Sequence, residues 1–121
     1  MKTFLLVAMI VEGLVGIACI GSPQAAFAPS GMEFNPAAVL FGRVFGSAIF
    51  ALAVVAWFAR RSGQPAMMRI ATEGLFAYYL VSSLVIIPAV LAGVMNATGW
   101  IVVVLHLGLA AWARYAAARS A

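Results

Sequence analysis

Four apolar stretches, each long enough to cross a bilayer and each carrying an ionisable residue in its interior, constrain this chain more than any other feature. Glu12 stands in the first, Arg43 in the second, Glu73 in the third and His106 in the fourth. A spanning helix needs about 20 mostly apolar residues, and roughly 3–21, 36–59, 70–95 and 100–117 meet that requirement. Within lipid every backbone polar group must be satisfied inside its own segment, so such stretches become helices. The expected fold is all-α: a single transmembrane domain, a four-helix bundle in up-down-up-down order, since short connections make sequential helices antiparallel neighbours. Of 121 residues, 66% are hydrophobic and 8% charged, which excludes an ordinary soluble domain.

The net charge of +4 does not point to nucleic acid. Lys2, Arg60, Arg61, Arg69, Arg114 and Arg119 sit at or near the ends of the apolar segments, where basic residues set orientation and meet anionic headgroups. The segments 22–35 and 96–99 carry no Lys or Arg, so both termini are expected to be cytoplasmic, in a bacterial inner membrane. The first stretch also resembles a secretory signal, with Lys2, an apolar run and Ala26-Phe27-Ala28 as a cleavage site. Its length and Glu12 favour a retained helix. Pro23, Pro29 and Pro36 keep the first connection from being one continuous helix, and Pro36 after Asn35 suits a first helical turn. Cys19 stands alone, with no metal-ligand spacing or redox motif, so no metal and no cofactor are expected.

Ionisable groups inside a bilayer are costly and face a protein interior, a partner or water. Counting about 1.5 Å of rise per residue places Glu12 near the midplane, and Arg43 and His106 roughly 9 Å below the outer edge. On that estimate a Glu12–Arg43 ion pair with His106 alongside, joined by Ser47, Ser82 and Ser83, forms one polar cluster in the outer half. Glu73 and Arg114 form a second, inner candidate pair, with Arg69 competing for the same carboxylate. The Gly42-Arg43-Val44-Phe45-Gly46 run has the small-xxx-small spacing that lets two backbones approach closely. Gly13 and Gly16 offer a matching surface on the first helix, so the first and second helices are expected to pack through these glycines. Tyr78 and Tyr79 lie well inside the third helix, where buried hydroxyls need partners.

Leu40–Gly46, Trp57-Phe58-Ala59-Arg60 and Gly93–Leu107 together resemble the pattern of small bacterial four-helix integral membrane proteins that have no assigned activity. The resemblance covers most of the chain and implies topology rather than chemistry. Small multidrug-resistance transporters are similarly short and carry a glutamate in the first helix, as Glu12 would be. Their other sequence features are missing here, and the one-sided basic residues argue against dual topology.

No catalytic constellation stands out. The leading expectation is a small polytopic protein that acts by association in the bilayer, as a homo-oligomer or an accessory subunit, with membrane lipids and other membrane subunits as partners. A proton-coupled transporter or channel using Glu12 is the alternative. A third reading makes Glu12 and His106 an acid/base pair acting on a lipid-soluble small molecule.

Overall fold

The computed structural model describes residues 1–119 and is built from α-helices. Four are long: α1 (Lys2–Gly21), α3 (Pro36–Ser62), α4 (Pro65–Leu91) and α5 (Gly99–Ala118). Between α1 and α3 the chain makes the short α2 (Pro23–Phe27) and a 3-10 turn (Ala28–Ser30). All four long helices are long and apolar enough to cross a membrane, and the chain is an integral membrane protein.

Helix ends follow capping chemistry rather than hydropathy. The Asn35 side chain accepts from the Ala38 amide at 2.9 Å and Pro36 occupies the first turn, which opens α3. α3 runs past the expected residue 59 to Ser62, where Gly63 turns left-handed (φ 68°) and ends it, with Arg60 and Arg61 in the last turn facing the helix dipole. α4 starts at Pro65, five residues before the apolar window, and ends at Leu91 rather than 95, because Gly93 (φ 74°) breaks away. Hydropathy marks where lipid begins. It does not mark where a helix begins.

The register of α1 against α3 is set by small residues. A Cβ on Gly16 would stand 2.7 Å from the Phe50 amide nitrogen, and one on Gly46 would stand 2.7 Å from the Cys19 Cβ and 2.8 Å from the Ile20 amide nitrogen. Gly42 is equally tight against Pro23, at 2.6 Å, and Gly13 faces Ala53 at 3.7 Å. Numbers rise on one helix as they fall on the other, so the two run antiparallel with their backbones in near contact. This is the most extensive helix pair, and α4 with α5 is the second. Contacts of α1 and α3 with α4 join the two pairs.

The main core gathers at the end of the bundle that holds the N-terminus, the α3–α4 turn and the end of α5. Phe4, Leu5 and Ala8 meet Ala56, Ala59, Met68, Leu75, Tyr79 and the alanines of α5 there, with Phe4 edge-on to Trp112 at 5.6 Å. Every Lys and Arg except Arg43 lies toward this end. The opposite end is tied by loop-to-loop hydrogen bonds. The Asn96 amide donates to the Ser30 carbonyl at 2.8 Å, and the Asn96 side chain and Thr98 hydroxyl donate to the Pro29 carbonyl at 3.0 and 2.9 Å.

Candidate functional site

The buried acidic residue is Glu12, halfway along α1 and 3% exposed. Helical geometry turns it to the same side of α1 as Phe4, Leu5, Ala8, Gly16 and Cys19, the residues that face the other helices. No cation reaches it among the described residues, where the only ion pair is Arg114–Glu73. Its polar neighbour is Tyr79 on α4. The Tyr79 hydroxyl is fully buried beside the carboxyl, and its geometry to surrounding groups falls short of a well-formed hydrogen bond. Tyr78 is half-buried next to it, with ring centroids 5.3 Å apart and its hydroxyl near Ser82.

His106 on α5 completes the group. Its ring stands edge-on to Tyr79 at 5.5 Å and to Tyr78 at 5.9 Å. Its Nδ1 lies 2.8 Å from the Val102 carbonyl one turn earlier. A carbonyl only accepts, so Nδ1 carries the hydrogen of this contact. Ser83 is fully buried one turn from Tyr79, but its hydroxyl is spent on the Tyr79 carbonyl at 2.9 Å. Thr72 is likewise buried and bonded to the Met68 carbonyl at 2.7 Å. The cluster thus consists of one carboxyl, two phenols and one imidazole from α1, α4 and α5.

The expected Glu12–Arg43 pair is absent, and the α1–α3 register explains why. Gly42 packs on Pro23, so Arg43 stands level with the end of α1, while Glu12 stands level with Ala53 and Val54. Eleven residues of rise separate the two levels, roughly 16 Å along the axis. Arg43 is exposed, and the Ser47 hydroxyl, also on the outer surface, bonds the Arg43 carbonyl at 3.0 Å. A guanidinium so close to the rim of the bundle is within snorkelling distance of the headgroup level. Counting depth from each helix end gave the wrong alignment because the glycines, not the helix ends, fix how α1 slides along α3. Arg43 and Ser47 therefore leave the cluster, and Glu12, Ser83 and His106 stay together around Tyr79.

The inner pair is formed. One Arg114 nitrogen, Nη1, donates to both Glu73 oxygens at 2.8 and 2.7 Å, and the guanidinium stands over the Phe76 ring at 5.2 Å. Both side chains are substantially exposed, 58% for Arg114 and 36% for Glu73, so this is a surface contact. The packing glycines Gly16, Gly42 and Gly46 sit where α1 and its continuation approach α3 most closely, with Gly13 at ordinary distance.

The sequence places both tyrosines inside the third helix but does not join them to Glu12. Two adjacent phenols in mid-span were the available signal. No group of three or more metal-ligating side chains occurs among the described residues. Comparison with protein-family models, with curated proteins and with solved structures finds no match for this chain.

Proposed function

We propose that this is a proton-coupled transport protein of a bacterial cytoplasmic membrane, with both termini inside and helices in up-down-up-down order, in which Glu12 is the proton acceptor. The observation that carries the reading is the mid-span burial of Glu12, with no counter-cation among the described residues, beside Tyr78, Tyr79 and His106. A carboxyl permanently paired with arginine would serve as a structural strut. Released from that partner, it is met by a proton, a hydroxyl or a cationic ligand, and can exchange one for another. Tyr79 and His106 carry the hydroxyl and imidazole through which a proton reaches it. The meeting of the Asn96 and Ser30 loops at one end, and of the basic residues at the other, supports the orientation.

Proteoliposomes containing a pH-sensitive dye and held under an imposed membrane potential test this. Flux is expected in wild type, at background in Glu12→Gln, and preserved in Arg43→Gln. Absence of flux in wild type, or flux indifferent to Glu12→Gln, overturns the reading.

Association in the bilayer is a second reading, favoured by Gly74 and Gly108. Both lie inside spanning helices with open space where a Cβ would project, so neither has a packing reason among the described residues. Each costs its helix about 1 kcal/mol relative to alanine, and close approach by another helix would repay that cost. Native mass measurement in mild detergent tests it: a monomer at all concentrations, with no co-purifying chain, rejects it.

A further inference from the structure

The four long helices are joined as two pairs, and the two ends of the bundle join them differently. α1 packs on α3, and α4 on α5, more extensively than any other combination. At the end that holds the N-terminus the pairs are linked covalently, by the turn at Gly63 and Gln64, and by a core to which all four helices contribute, among them Phe4, Ala8, Ala59, Leu75 and Ala113. Tyr79, beside Glu12, is the α4 member of that core nearest the loop end. Beyond it each pair closes on itself. Gly16 and Gly46 bring α1 against α3, and Gly99 lies against Val90 and Met95 where α4 gives way to α5. Between the pairs a groove of about 220 Å³ opens, with Phe45 of α3 on one side and Val81, Val85 and Ile86 of α4 on the other.

The tie between the pairs at this end is polar. The connection 22–35 belongs to the first pair and 92–98 to the second. They meet where the Asn96 amide donates to the Ser30 carbonyl, and where the Asn96 side chain and the Thr98 hydroxyl donate to the Pro29 carbonyl. Both side-chain bonds are exposed, so water replaces them when they break and each is worth only roughly a fivefold factor in the closed-to-open ratio. Parting the other end would instead strip close-packed side chains of their contacts. We infer that the α1–α3 and α4–α5 pairs part at the loop end, hinged at the α3–α4 turn, and that Asn96 and Thr98 are the latch holding this gate shut over Glu12. The inference rests on the reading of Glu12 as an exchanging carboxyl and supplies the route by which water at the loop end reaches it. Ser83 marks that route: it is fully buried on α4, one turn from Tyr79 toward the loops.

Thiol accessibility in lipid nanodiscs tests the gate. In a Cys19→Ala background, Ser83→Cys reports on the loop half of the interior, and Ala71→Cys, in the main core of the same helix, reports on the other half. A permanently charged methanethiosulfonate, which does not dissolve in the bilayer, reads both. Cutting the latch with Asn96→Ala and Thr98→Val removes both side-chain bonds to Pro29 and should speed labelling at position 83 roughly twenty-five-fold, while labelling at position 71 changes less than about twofold. No acceleration at 83, or equal acceleration at 83 and 71, overturns the gate. The latch can also be locked. A Cβ on Gly31 would stand 3.7 Å from the Asn96 Cβ, within the span of about 3.5–4.5 Å that a disulfide bridges. In proteoliposomes, oxidised Gly31→Cys/Asn96→Cys should carry proton flux at background and recover it on reduction, with Gly31→Cys alone indifferent to the oxidant. Flux that persists in fully cross-linked protein overturns the gate and leaves transport standing. Wild type without flux, in a protein whose position 83 responds to the latch as stated, overturns transport and leaves the gate.

Discussion

Replacing Gly46 by alanine should damage the protein more than replacing any glycine on its outer faces, because the new methyl meets backbone. The Gly46 Cβ would stand 2.7 Å from the Cys19 Cβ, 2.8 Å from the Ile20 nitrogen and 2.9 Å from the Gly16 oxygen. Ordinary carbon contact begins near 3.5 Å, so α1 and α3 must separate locally by about 0.8 Å. None of these atoms can rotate away, and the separation loosens dispersion contacts along the whole pair. Overpacking of this kind costs about 1–3 kcal/mol, with the upper end apt where backbone is struck. Alanine returns up to about 1 kcal/mol in helix propensity, leaving a net loss of about 2 kcal/mol. Gly16→Ala should behave alike, since its Cβ would meet Phe50 backbone at 2.7 and 2.9 Å. One widening of the interface accommodates both methyls, so the double variant should lose less than the sum of the singles. Gly108→Ala, with open space around it, should be neutral or gain up to about 1 kcal/mol. Unfolding in mixed micelles by denaturing detergent, followed by tryptophan fluorescence, measures all four. Equal stability of Gly46→Ala and Gly108→Ala would refute the glycine-set register.

Three further outcomes follow from particular contacts. Arg43→Ala should change stability by no more than about 0.5 kcal/mol, as for an exposed side chain, measured by the same unfolding assay; a loss of about 3–5 kcal/mol would restore the buried pair with Glu12. A double-mutant cycle on Glu73 and Arg114 should give a coupling below about 1 kcal/mol, because the 2.7 Å pair is largely exposed, and a larger value would mean that the pair is shielded in the membrane. Asn96→Ala should cost about 1 kcal/mol and raise amide hydrogen exchange in both 29–31 and 96–99, since its side chain donates to the Pro29 carbonyl and accepts from the Thr98 amide; exchange confined to one loop would count against the coupling of the two.

Much of the fold was legible because lipid leaves few options. A stretch of about 20 apolar residues has to be helical, and the four were found in order with their interiors correctly placed. Of the glycine contacts, Gly42 meets Pro23 and Gly13 stands at ordinary distance from Ala53, but the close approach of Gly46 to Gly16 was legible for a similar reason: a missing side chain permits an approach that nothing else permits. The end of α3, the early start of α4 and its stop at Leu91 were not, because they depend on Gly63, Pro65 and Gly93 in polar or mixed surroundings to which a hydropathy window is blind.

The site was half legible, and the missing half turned on how far one helix slides along another. All four ionisable residues break an apolar run, yet only Glu12 and His106 join the buried cluster, while Arg43 and Glu73 are on or near the surface. Their types already foretold part of this division. Arginine has a long stem that carries its charge to the rim, and Glu73 has Arg114 within reach of the same rim. Glu12 has a shorter stem, so at mid-span it cannot leave the bundle and must find hydroxyls instead. The same glycines that keep Arg43 away therefore create the uncompensated carboxyl on which the proposed chemistry depends. Shifting α1 along α3 by three turns would bring the guanidinium to the carboxylate, and would replace an exchangeable site with a fixed ion pair.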